Sequence, residues 1–411
     1  MKSLTLCFSM LMMFVVLSAS ITHTYQLDYP VILENQHGIQ IKLAGAESYG
    51  TPGDPDLPFY GFSLLLPLGT EGREVIIKRE GATSIPLKGK IAPVQPQYPL
   101  SHPILEEAVA PNPAIYESSS AFPADPAKGL LTEFLSGHPV AFGTFSAFDY
   151  YPLRDELIFY KNVTVEIKYI AQERAQAALD LLKQDSFTAQ RLHNSIDNPH
   201  ALPRYNSFRD GGVEYLMIID GNKLGNWQPL ADYYENSGIS VMIKPVSEIA
   251  ASGTGQDLQE KIRNYIISIY QANPLRYVLL GGDTDVIPHR GFLVDMGSGG
   301  EGDTDIPADM YYSCLDGNWN NDGDAFWGEA MEADLMPELA VGRICYNDDA
   351  EIANQINKIT LYQMLPVENE ITTVSFIGEW LWDGNRNLVQ QTRQAHVKRG
   401  SRIACRPNSA G

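Results

Sequence analysis

With 411 residues and a formal net charge of −20, the chain is long enough for two or three domains with cores of their own. The acidity excludes nucleic acid and anionic membrane surfaces as partners, because both need a positive face that displaces counterions. Four cysteines in a chain of this length are not a disulfide framework, although a bridge between Cys314 and Cys345 stays open in an oxidising compartment.

The chain begins with Lys2, an apolar run from Cys7 to Leu17 and the small residues Ser18-Ala19-Ser20. A weak positive charge, a short apolar stretch and a small-residue cleavage point make residues 1–20 an export signal, which takes Cys7 with it when cut. The run is too short to anchor the chain, and no later stretch reaches the roughly 18 to 20 apolar residues of a spanning helix. The mature chain is expected outside the cell or on its surface, with no membrane span.

From Tyr25 to about Ile170, strand-like runs at Ile39 to Leu43, Phe62 to Leu66, Glu74 to Lys78 and Leu157 to Tyr169 are separated by punctuation such as Thr51-Pro52-Gly53-Asp54-Pro55. In the last run Val163, Val165, Ile167 and Tyr169 alternate with Thr164, Glu166 and Lys168, the period of a half-buried strand. This part is expected to be a β-rich sandwich or jelly roll. Prolines recur between Pro86 and Pro126, which predicts an extended connection without a core of its own. Helix formers from Ala171 to Ile196 predict one linker helix. Pro199, Pro203 and Asp210-Gly211-Gly212 then place a domain boundary within 197–212. Arg204 and Arg209 lie in that segment and are candidates for maturation cleavage. The first domain is assigned to residues 21–205.

The next part, residues 206–370, alternates strands and helices. Strands are predicted at Tyr215 to Ile219, Ser240 to Ile243, Arg276 to Leu280 and Leu339 to Ile344, with helices at Trp227 to Ser237 and Gln256 to Tyr270. Asp348 and Glu351 form a capping box that starts a further helix ending near Met364. That order predicts a parallel sheet covered on both faces. A last strand is predicted at Val374 to Ile377.

Four stretches in this part carry a resemblance: Tyr277-Val-Leu-Leu-Gly-Gly-Asp283-Thr-Asp285-Val-Ile-Pro288, Asp305-Ile-Pro-Ala-Asp309-Met-Tyr-Tyr312, Glu338-Leu-Ala-Val-Gly-Arg343 and Phe376-Ile-Gly-Glu379. In content and order they resemble the catalytic domain of the gingipain family of cysteine peptidases. Upstream, Gly50-Thr-Pro-Gly-Asp-Pro-Asp-Leu-Pro58 and Leu66-Pro-Leu-Gly69 resemble the family's β-rich prodomain. The resemblance implies a caspase-like α/β/α sandwich behind an inhibitory prodomain, acting on protein or peptide substrates. It assigns 206–370 to the first sub-domain of the peptidase and 371–384 to the start of the second. It also implies a catalytic His and Cys in the second sub-domain, and no stretch here matches the family's Gly-His-Gly segment or its later Cys. No catalytic residue is therefore carried over. From Asn385 to Gly411 the chain has six basic residues and no Asp or Glu, read as an aberrant tail from a shifted frame or, alternatively, as a genuine basic terminus. The chain as written is accordingly expected to be truncated before the dyad and inactive.

Two local chemistries remain. Cys314 and His289 are the weak local candidates for a thiol and its base, but the acids around Cys314 disfavour a thiolate. Cys345, ending an apolar strand, reads as a buried structural thiol. The stronger signal runs from Asp316 to Glu329. Counted from Asn318, oxygen ligands Asn318, Asn320, Asp322 and Asp324 fall at positions 1, 3, 5 and 7, Gly323 at 6 and Glu329 at 12, the spacing of a calcium loop. Asp316 stands ready to compensate for the Asn at the first position. Asp283 and Asp285 read either as a second cation site or as caps of the turn that follows. A non-catalytic, calcium-binding surface protein that reuses the fold is the competing class.

Overall fold

The computed structural model describes residues 19–35, 38–48, 50–96, 98–99, 108–203, 211–294, 302–329, 332–367 and 382–383. The export signal up to Ser18, the cleavage candidates Arg204 and Arg209, the strand at Val374 to Ile377 and the basic tail lie outside the described residues.

The first module contains β1 (Ala19–Gln26), β2 (Val31–Asn35), β3 (Gly38–Lys42), β4 (Ala46–Ser48), β5 (Pro58–Leu65), β6 (Thr70–Pro86), β7 (Tyr98–Pro99), α1 (Pro113–Tyr116), β8 (Ala127–Leu135), β9 (His138–Phe145), β10 (Phe148–Tyr151) and β11 (Glu156–Ala171). One sheet centres on β11, which pairs antiparallel with β1, β10 and β6; a second has the order β4-β5-β9-β8. The alternation in β11 is the reason it sits at the centre. Val163, Val165 and Ile167 are fully buried and share a core with Phe62 and Leu64 of β5 and Phe145 of β9. The opposite face carries cross-strand ion pairs, Lys78 with Glu166 at 2.6 Å and Lys168 with Glu74 at 2.9 Å. The result is a sandwich of two sheets over one apolar layer.

Two expectations for this module change. The proline-rich connection does reach the core: Ile91 and Tyr116 are buried, and the Tyr116 hydroxyl donates to the Ile91 carbonyl at 2.7 Å. The single linker helix is instead α2 (Glu173–Ala177), a 3₁₀ turn at Ala178–Leu181 and α3 (Ser186–Ser195). The break has a tertiary cause, because the β8–β9 turn packs into it, with the Lys183 N–H donating to the Ser136 carbonyl at 3.2 Å. Asp185 then restarts the helix as its cap, accepting from the Thr188 N–H at 2.8 Å. Asp197 still belongs to the sandwich, since its carboxylate accepts from the Ser63 N–H and the Tyr25 hydroxyl.

The second module contains β12 (Tyr215–Ile219), α4 (Leu224–Asn236), β13 (Val241–Pro245), α5 (Val246–Ser252), α6 (Leu258–Ala272), β14 (Tyr277–Gly281), β15 (Arg290–Val294), β16 (Asp303–Ala308), β17 (Ala340–Ile344), α7 (Asp349–Met364) and β18 (Trp382–Asp383). Its sheet is parallel throughout, in the order β13-β12-β14-β17. Side chains alternate between two apolar layers. Leu216, Ile218, Val278 and Leu280 face Ile262 and Ile266 of α6, whereas Met217, Ile219 and Leu279 face Trp227 of α4 and Ile352 and Ile356 of α7. Helices thus cover both faces, as the continuous apolar strands require. The short α5 and the β15–β16 hairpin were not anticipated. β18 pairs with β7 of the first module through Trp382 and Pro99.

Candidate functional site

All four parallel strands point their carboxyl ends to one edge, where open α/β sheets hold their sites. Asp220, Gly282-Asp283 and Cys345 follow β12, β14 and β17 there. The Asp283 carboxylate accepts from the Thr284 N–H at 2.7 Å, and its carbonyl accepts from the Val286 and Ile287 N–H groups. Asp283 therefore caps the turn. Arg343 of β17 ties this edge together: it grips Asp309 with two bonds of 2.7 and 2.8 Å and donates to the carbonyls of Gly282 and Ile287. Nothing in the local sequence announced that role.

His289 follows the same turn. Its Nε2 lies 3.0 Å from Asp305 Oδ1, and its Nδ1 is enclosed without a hydrogen-bond partner among the described residues. With Thr284, Arg290, Asp305 and Trp327 it lines a cavity of about 350 Å3. Arg290 beside it is held by Asp257, the cap of α6, through two bonds of 2.9 Å, and stacks over the Trp327 ring.

Cys314 does not join His289. It is fully buried in the apolar layer beneath α6, and its thiol meets the Ser313 hydroxyl at 3.8 Å. Burial pushes the thiol far above its ordinary range, and the charges of Asp334 and Glu338 push it further. A thiol so placed is no nucleophile. Cys345 is exposed rather than buried, because β17 ends at Ile344 and the chain leaves the sheet there. Both thiols are free.

The loop from Asp316 divides into two groups of acids. Asp322, Asp324 and Glu329 bring one carboxylate oxygen each within 4.8 Å of one another. Gly323 supplies the left-handed turn at φ 72°. Asn318 accepts from the Asn320 N–H at 2.8 Å, Asp322 from the Asp324 N–H at 3.1 Å and Asp324 from the Phe326 N–H at 2.6 Å. Asn320 Oδ1 is enclosed and has no hydrogen-bond partner among the described residues. Partial desolvation and then the charges of Asp324 and Asp322 raise the Glu329 carboxyl above its usual range. Glu332 braces the loop from outside, accepting from the N–H groups of Asn321 and Asp322. Trp319, buried and stacked on Phe292 at 4.5 Å, fastens the loop to the β15–β16 hairpin.

Asp316 is turned away from that loop. It groups with Asp334 and Glu338, again within 4.8 Å, in the interior of the protein. Burial and the neighbouring charges of Glu338 and Asp334 raise its carboxyl, and burial with the Asp334 charge raises that of Glu338 to about 8. Sequence reading missed this trio because its members are local neighbours only after β17 folds back beside β14.

A β-sandwich placed ahead of a parallel α/β module, with Cys314 buried apart from His289, has the layout of a two-module chain. Profiles of known families agree: that of the family's propeptide, Propeptide_C25, matches residues 24–191, and that of peptidase family C25 matches residues 209–403. The chain belongs to peptidase family C25, the gingipain family of cysteine-type endopeptidases, and carries the propeptide together with a peptidase region. The peptidase match takes in most of the basic segment after Asn385. No match was found among curated proteins. Similar solved structures include the complex of the pro- and mature domains of RgpB from Porphyromonas gingivalis, at 17% identity, TM-score 0.35, over 45% of this chain and 96% of that one. A structure addressing zymogenic latency of gingipain K from the same organism is 17% identical with a TM-score of 0.29, over 37% of this chain and 88% of that one. The Arg-specific cysteine proteinase gingipain R is 21% identical with a TM-score of 0.27, over 38% of this chain and 30% of that one.

Proposed function

We propose that the chain is the precursor of a secreted cysteine endopeptidase, kept latent by its own propeptide and holding calcium in the loop from Asn318 to Glu329. The observation that carries the precursor reading is the order of the two family matches, propeptide before peptidase, on two separately cored modules. The non-catalytic surface protein gains no support from them. Export rests on the layout of residues 1–20, and the purified mature protein is expected to start close to residue 21 in N-terminal sequencing. Cleavage at Arg204 or Arg209 would sever the chain between the modules.

Cys314 is buried away from His289, and Cys345 has no histidine against it among the described residues. Neither of these two thiols is therefore expected to cut peptide substrates. Hydrolysis that a thiol alkylator stops, and that survives Cys314→Ala, would show a nucleophile elsewhere and overturn the inactive reading while keeping the peptidase one.

For calcium, the support is the convergence of three carboxylates on a turn whose backbone is already set by Asn and Asp side chains. Hard oxygens at this density suit a cation that takes six to eight of them. Titration calorimetry is expected to show one calcium site that Asp324→Ala removes. A chain that gives no heat with calcium ends this part of the proposal.

A further inference from the structure

The two modules meet at the amino edge of the parallel sheet. β14 and β17 start side by side at Tyr277 and Ala340, and Glu338 lies just ahead of β17. Its buried carboxylate accepts from the Leu315 N–H of its own module at 2.7 Å and from the Ser136 N–H of the first module at 3.0 Å. Ser136 and Gly137 form the left-handed turn between β8 and β9, with φ of 51° and 78°. A Cβ on Gly137 would fall 2.7 Å from the Leu182 Cα, so the turn is packed in place. Two cations of the first module complete the contact. Arg191 of α3 donates to the carbonyls of Pro337 and Glu338, and Lys183 donates to those of Tyr270 and Asn273, at the end of α6. Leu181 adds an apolar side by joining the layer of Tyr270 and Leu275.

Every one of these contacts is at the end of the sheet opposite to Asp283, His289 and Cys345. We propose that Glu338, Arg191 and Lys183 form an anchor that keeps the propeptide bound to the peptidase module after the chain between them is cut, from the edge remote from the catalytic end. The inference rests on the precursor reading and deepens it: holding the propeptide and covering the catalytic end become separate tasks of separate surfaces. Water has no access to replace the Ser136 N–H on a carboxylate that is 2% exposed, so loss of either side of the bond leaves a buried group unpaired.

The test uses the full chain with a specific protease sequence placed within residues 204–210. After the cut, the two fragments of the unaltered protein are expected to co-elute in size-exclusion chromatography. Glu338→Ala and Arg191→Met are each expected to speed their dissociation by about tenfold or more, as leaving a buried group unpaired does, while Lys78→Ala on the outer face of the sandwich leaves it unchanged. Where Glu338→Ala does not fold, Arg191→Met and Lys183→Met decide. If these two dissociate at the unaltered rate, for instance because the β7–β18 pairing alone holds the fragments, the anchor is overturned. Association is read without any substrate, so a failed precursor reading, seen as secreted protein that N-terminal sequencing finds uncut within residues 204–210, leaves this result separately visible.

Discussion

Cys314 and Cys345 show how the same residue type acquires opposite properties from its surroundings. The first is sealed beneath α6 beside Asp334 and Glu338, and the second is exposed at a strand end, where partial burial and Asp283 raise its thiol more mildly. Alkylation of the folded protein followed by peptide mapping is expected to label Cys345, faster as the pH rises, and to reach Cys314 only after denaturation. Equal labelling of both would mean that the layer beneath α6 opens readily. Arg343 is a residue of another kind, whose importance lies in four hydrogen bonds to two separate segments, the turn after β14 and Asp309. Arg343→Met leaves Asp309 without its partner, and a loss of about 3 kcal/mol in denaturant unfolding is expected.

Elements were legible wherever the cause was local. The cap of α7 is such a case: Asp348 accepts from the Glu351 N–H at 2.9 Å, and Glu351 reaches back to the Asn347 N–H at 2.6 Å. Asp348→Ala is expected to cost about 1 kcal/mol, read as a lowered melting temperature. The break between α2 and α3 was illegible, because helix formers continue through it and the wedge that enters it comes from residues 136–137. The loop from Asn318 to Glu329 stands between these cases. Its ligand spacing is local and readable, whereas the departure of Asp316 and the bracing by Glu332 depend on how the chain returns after the loop. If the loop binds calcium, the ion at about 100 times its Kd adds about 2.7 kcal/mol to stability, and Glu329→Gln is expected to reduce that gain in thermal melts.

At the scale of the molecule, the junction of the modules is rich in carboxyls that burial has made reluctant to ionise. Glu338 is raised to about 8, first by burial and then by the Asp334 charge, against the pull of the Leu315 and Ser136 N–H groups and Arg191. Glu133, on β8, is raised to about 7, again by burial first. A carboxyl whose folded pKa exceeds its unfolded value holds its proton more tightly in the folded state, so its contribution is complete below about 4.5 and is lost as the pH rises through the folded value. Melting temperature is therefore expected to fall between about pH 5 and pH 8, and Glu338→Gln to flatten that slope. A slope that the substitution leaves intact would place the titration elsewhere.

The sequence by itself determined the two fold classes, the family and the spacing of the oxygen-bearing side chains from Asn318 to Glu329. Apolar period, caps and turn residues act over a few positions, and the family stretches keep their order along the chain. Only the tertiary structure decided which charged groups meet. Asp316 joins Asp334 and Glu338, Arg343 closes on Asp309, and Glu338 reaches Ser136 across the module boundary. The physical reason is that a hydrogen bond or a shared burial depends on a few ångströms of approach, which the packing of β17 beside β14 and of the β8–β9 turn against α2 and α3 creates between residues far apart in the chain.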